Sequence, residues 1–186
     1  MKRMILLMLS LLFTLALAQD PPTLESVIAS GGADFAGVMN AQDESQQLCS
    51  VHKNTLPTEM VADFLTLQKS LIQYPESGEL MGDWESGMKI FSDSKTGNCY
   101  ACHQAVPSEV AAGNVGPMLT NYGQRGTSEA IVKYTYEKIY NAWAYQPCSS
   151  MYRAGVNGRI DASQAADIVA FLLTPESPIN PALNQP

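Results

Sequence analysis

Histidine and cysteine are scarce in this chain: 186 residues contain two histidines, His52 and His103, and four cysteines, at 49, 99, 102 and 148. A zinc centre needs four soft or nitrogen ligands at suitable spacing, and none follows the Cys99/Cys102 pair to complete one. Alternating strand and helix patterns are also missing, which excludes a thioredoxin-type setting for two cysteines so spaced. Basic residues are few, 11 against 18 acidic, for a net charge of −7. That balance argues against nucleic-acid binding and favours partners with a basic face, although plain solubility explains the same carboxylates. Only 8% of the residues are aromatic. Long apolar runs are absent apart from residues 4–17.

That one run reads as an export signal. Lys2 and Arg3 form its positive head, Ser10 and Thr14 alone interrupt it, and Ala16-Leu17-Ala18 is a small-x-small cleavage site. The rival is a retained anchor, but the run is shorter than the ~20 residues a spanning helix needs. Residues 1–18 are therefore expected to be removed, leaving no stable membrane anchor and a mature chain beginning at Gln19. Loss of Lys2 and Arg3 leaves 9 basic against 18 acidic residues, a net charge of −9. The expected compartment is the periplasm.

What the chain does have is Cys99-Tyr100-Ala101-Cys102-His103, the C-x-x-C-H spacing of c-type haem attachment. Two thiols at this spacing reach two neighbouring vinyl groups and fix the porphyrin by thioether bonds. The adjacent imidazole then lies beneath the iron as proximal ligand. One covalent haem c is the expected cofactor, with His103 a metal ligand. Its apolar plate also gives a chain of about 168 mature residues more to pack against.

Residues 19–47 show little periodicity and read as a mostly loop-like arm with room for a short helix, or as a solvated leader. A helix is expected over residues 57–73, with Thr55 as N-cap and Met60, Val61, Phe64, Leu67, Leu71 and Ile72 as its buried face. The next, over residues 83–92, places Gly87 four positions before Phe91 on one face, which lets another helix approach closely. Its natural partner is the last helix, residues 162–173. Asp161 and Gln164 resemble a capping box at its start, and Pro175 limits its end. A further helix is expected within residues 128–145, packing through Ile131, Tyr134, Ile139 and Trp143.

An opening helix, C-x-x-C-H and a closing helix packed on the opening one resemble the class I cytochromes c. The resemblance implies an all-α fold around the haem with an N-terminal helical extension: signal 1–18, extension with one helix 19–80, cytochrome domain 81–175, tail 176–186. Gly116-Pro117-Met118-Leu119 resembles the segment with which that family holds the second imidazole nitrogen of its ligand histidine. An ordinary turn is the alternative. By the same resemblance Met151, in a loop before the closing helix, is the expected sixth ligand, with Met118 and His52 as competitors. Cys49 and Cys148 remain; in an oxidising compartment a leftover pair is usually a disulfide, and otherwise a free or intermolecular thiol.

A narrower resemblance is carried by residues 97–104, 113–117, 148–155 (Cys-Ser-Ser-Met-Tyr-Arg-Ala-Gly), 157–160 and 172–180, with Leu48-Cys49-Ser50 and residues 74–84 upstream. These blocks are similar to the SoxX family, the monohaem subunits of SoxAX complexes. Tyr152 and Ala154 depart from it, since many relatives carry Pro and Phe there. The resemblance implies an electron relay within a heterodimeric L-cysteine S-thiosulfotransferase. That enzyme joins thiosulfate oxidatively to a cysteine of the carrier SoxYZ, its catalytic cysteine lies on the partner SoxA, and the electrons pass to a small soluble cytochrome c. The alternatives are an independent periplasmic class I cytochrome c shuttle, and a haem enzyme or gas sensor with an open distal site.

Overall fold

The helix Ala162–Leu173 buries eight of its 12 residues, including all of 168–173. It begins where the sequence places it. The Asp161 side chain accepts from the Gln164 amide at 2.8 Å, and the Gln164 side chain accepts from the Asp161 amide at 3.0 Å. This reciprocal cap satisfies two amides that a helix start otherwise leaves open.

The computed structural model describes residues 41–184. Among these there is no strand, and the helices are α1 (Glu44–Val51), α2 (Thr58–Ser70), α3 (Trp84–Ser92), α4 (Glu129–Tyr140) and α5 (Ala162–Leu173). Short 3₁₀ turns lie at Cys99–Ala101, Tyr122–Arg125 and Ala142–Ala144. The fold is all-α and of the class I cytochrome c kind. The signal at 1–18, most of the arm 19–47 and Met39 lie outside the described residues.

α3 crosses α5 at Gly87, where a Cβ would stand 1.9 Å from the Asp167 carbonyl oxygen. Backbone therefore meets backbone at the crossing. Beside it the Gly82 amide donates to the Ala166 carbonyl at 3.0 Å, and the Asp83 amide to the Asp167 carboxylate at 2.8 Å. One turn on, Phe91 is 1% exposed. It packs 5.2 Å from Phe171 on α5 and edge-on, at 5.0 Å, to Tyr100 inside the C-x-x-C-H motif. The helix crossing thus sets the position of the motif.

α4 covers α5 from another side, burying Tyr136, Ile139 and Tyr140. The Tyr136 hydroxyl donates to the Gln73 carbonyl at 2.7 Å, and the Tyr74, Tyr136 and Tyr140 rings stack in series. These bonds pull the chain out of helix early: α2 ends at Ser70, not Gln73. It also begins without the expected Thr55 cap, because Pro57 takes the N-cap position.

Among the described residues upstream of 80 there are two helices, α1 and α2. Of the six apolar side chains expected to form the buried face of α2, only Phe64 is buried; Leu67 and Leu71 are exposed. The helix turns inward instead on Gln68, whose carbonyl and side-chain oxygens accept from the Asn141 amide group at 2.7 and 3.1 Å. Its own amide nitrogen donates to Ser45 at 2.7 Å. A buried polar group must be paired, and this trio is.

The segment expected as a tail from 176 returns to the domain. Ser177, Ile179 and Asn180 are buried. The Asn180 side chain accepts from the Gly123 amide and donates to the Leu172 and Thr174 carbonyls, all within 3.0 Å.

Candidate haem site

The motif is built on a local turn. Asn98 takes a left-handed conformation (φ 49°), which asparagine tolerates better than most residues. The Cys102 and His103 amides then both donate to the Cys99 carbonyl, at 3.1 and 2.9 Å. Cys99 and Cys102 are free thiols. Burial, with Cys102 adding to it, pushes the Cys99 thiol up to about 12.

A second segment laces onto this turn. Amides of Gly113, Gly116 and Leu119 donate to the carbonyls of Tyr100, Cys102 and Gln104, at 2.7 to 2.8 Å. The lacing brings the Pro117 carbonyl 2.8 Å from Nδ1 of His103. A carbonyl only accepts, so Nδ1 carries the proton and Nε2 keeps its lone pair. Glycine at 116 is a steric requirement, since a Cβ there would stand 2.2 Å from the imidazole. The Gly-Pro-x-Leu segment is thus the imidazole holder that the family resemblance implies.

Met151 stands on a loop pinned at four points. Cys148 is bonded to Cys49 on α1 (S–S 2.09 Å). The Trp143 indole donates to the Ser149 carbonyl at 2.8 Å. The Arg153 guanidinium lies 4.4 Å from the centre of the Trp143 ring. Next to Met151, the Tyr152 hydroxyl donates to the Gly97 carbonyl, joining the loop to the start of the motif. Burial, with Cys99 adding to it, pushes the Tyr152 hydroxyl up to about 12.

These parts surround one cavity of about 410 Å³. Cys99, Cys102, His103 and Met151 all line it, between apolar side chains of α3, α4 and α5. Met118 and His52 do not line it, and Met118 is 66% exposed. Among the described residues two cations, Arg125 and Lys138, reach the wall, and no carboxylate does. Two thiols, one oriented imidazole, one thioether, apolar walls and cations for a group bearing carboxylates suit a covalently bound haem.

Residues 84–175 match the cytochrome c family. A protein of Aquifex aeolicus (strain VF5), described as an uncharacterized lipoprotein, is 42% identical over 160 residues, covering 78% of this chain and 76% of that protein. The chain contains a cytochrome c domain. The family match starts at the first residue of α3 and stops two residues after α5, so it takes in the haem motif and the Met151 loop, and leaves α1 and α2 outside.

Sequence reasoning overlooked several contributors to this cytochrome site: Trp143 as a tether, Arg153 against it, the Tyr152 bond, and the cations Arg125 and Lys138. For Lys138 there was a signal. It lies four residues after Tyr134, on the face of α4 that carries the packing aromatics, an unusual place for a cation. The tethers had no signal, because their partners are distant or are backbone atoms.

Proposed function

We propose that this chain is the haem c electron-transfer subunit of a SoxAX-type complex, which conjugates thiosulfate oxidatively to a cysteine of SoxYZ. The single observation that carries the electron-transfer reading is that His103, fixed through Nδ1, and Met151, on its bridged loop, line one cavity with both motif thiols. Cys99 and Cys102 would hold haem c there, His103 through Nε2 and Met151 through its sulfur would ligate the iron, and the group would supply a one-electron couple whose potential the thioether raises. Two side-chain ligands leave no position for a substrate. That favours a relay over a sensor or an open-site enzyme.

The finer assignment draws on the SoxX-like blocks along residues 48–180. The bridge from α1 to the Met151 loop adds to it, since a minimal shuttle needs neither the extension nor the bridge. The conjugation turns a thiosulfate sulfur and a carrier thiol into a disulfide-linked adduct, releasing two electrons and a proton. The reacting cysteine belongs to SoxA in this reading, because the four cysteines here are two in a bridge and two in the haem motif. Electrons then leave through a small soluble cytochrome c. Periplasmic placement follows from the N-terminal signal and from covalent haem attachment, and the relative's description as a lipoprotein agrees with export.

Two measurements test this reading. Purified from its native cells, the chain should bring down a second haem-bearing chain in equal amount, and the pair should reduce cytochrome c with thiosulfate only when the carrier is added. Isolation as a lone cytochrome would favour the independent shuttle. Separately, the oxidised protein should show a sulfur-to-iron band near ~700 nm that Met151→Ala removes. A high-spin spectrum unchanged by that substitution would remove Met151 as ligand.

A further inference from the structure

We propose that Lys138 is the cation that pairs with a haem propionate and thereby sets the reduction potential; this rests on the haem reading above. The chain has 18 acidic and 11 basic residues, yet among the described residues its cavity is lined by two cations and no carboxylate. That inversion needs an anionic occupant. Arg125 is exposed and lies 4.7 Å from the centre of the Tyr122 ring at the cavity wall. Lys138 is the more enclosed of the two, near the end of α4, where Tyr134, Thr135 and Ile139 also face the cavity.

The protein itself gives the Lys138 ammonium little. Nζ donates to the Ala142 carbonyl at 3.3 Å, a long neutral hydrogen bond. Burial lowers its pKa. The other lysine of the helix, Lys133, is 3.9 Å from Glu137. Glu137 is committed elsewhere, accepting from the Tyr74 hydroxyl at 2.6 Å and the Tyr145 hydroxyl at 2.5 Å. A half-buried ammonium is costly unless paired. Among the described residues no carboxylate pairs it, and a porphyrin bears two.

The consequence is electrostatic. Oxidation adds one positive charge at the iron, and a fixed ammonium nearby opposes it. Lys138 therefore raises the potential, whereas an unpaired propionate would lower it.

The test uses the holoprotein with haem attached. In Lys138→Gln the midpoint potential should fall by the equivalent of about tenfold in the ferric-to-ferrous ratio, 59 mV for a one-electron couple. The propionate bending band in the resonance Raman spectrum should shift, and the near-infrared sulfur-to-iron band should remain. Lys138→Arg should restore both potential and Raman band. An unchanged potential and propionate band in Lys138→Gln would overturn the proposal. So would loss of the near-infrared band, since Lys138 would then act on the axial ligands. Failure of the haem reading looks different: wild-type protein would lack the stain of covalently held haem.

Discussion

Gly116 lies against the ring of His103 so closely that one added carbon would overlap the imidazole, at 2.2 Å from Cε1. The absence of a side chain at 116 lets the backbone pass beside the ring and present the Pro117 carbonyl to Nδ1. The orientation of the proximal imidazole is thus decided by a residue that offers it no functional group.

Gly116→Ala should leave haem attachment through Cys99 and Cys102 intact while displacing His103. The expected outcome is a high-spin component in the oxidised spectrum and a loss of stability of about 1–3 kcal/mol, the usual cost of forcing a methyl into a packed site. Optical spectra and a denaturant titration of the same sample check both.

Removing the Cys49–Cys148 bridge should loosen the Met151 loop. The bridge closes a separation of 99 residues, worth about 4–5 kcal/mol on the chain-entropy account. Cys49→Ser/Cys148→Ser should lower the denaturation midpoint. It should also lose the near-infrared band at a lower denaturant concentration than helicity is lost, whereas in wild type the two should disappear together.

Gly87→Ala tests the crossing of α3 and α5. Alanine favours a helix over glycine by up to about 1 kcal/mol, so propensity alone predicts stabilisation. The Asp167 carbonyl 1.9 Å away predicts the opposite, and the clash wins, because two backbones have to separate. A net loss of about 3 kcal/mol is expected, lowering the melting temperature by roughly 6–12 °C. Thermal melts followed by far-ultraviolet dichroism decide the sign.

Alkaline pH should expose the Tyr74–Glu137 contact. Burial first, and then the Glu137 carboxylate that accepts its hydrogen bond, push the Tyr74 hydroxyl from 10.0 to about 12. A raised folded pKa means the contribution is complete below the unfolded value of 10.0 and fades as pH climbs towards 12. Stability should decline across that window, and less steeply in Tyr74→Phe, which loses about 1 kcal/mol at neutral pH. Denaturation midpoints at stepped pH give the slopes for both proteins.

Much of the site was legible because its signals are local. The C-x-x-C-H spacing, the Asp161/Gln164 cap and the Gly87–Phe91 pair each lie within about one turn, where covalent geometry and nearest hydrogen bonds dominate, and the Gly-Pro-x-Leu segment was legible as a family resemblance. α2 shows the limit of such reasoning. Its apolar residues recur at helical spacing and the helix forms, yet Leu67 and Leu71 stay exposed while Gln68 is buried. Periodicity reports that a face exists, and only the neighbours decide which face is covered.

By itself, then, the amino-acid order determined the haem attachment point, the helices bracketing it and the class of fold, all consequences of short-range stereochemistry. Tertiary structure alone decided that Met151, and not Met118 or His52, reaches the cavity. It also decided that Cys148 meets a cysteine 99 residues away, and that Lys138 turns its charge inward. Those outcomes depend on which distant segments pack together. Closing a long loop costs an entropy that only the summed contacts of the whole core offset, and no local pattern records that sum.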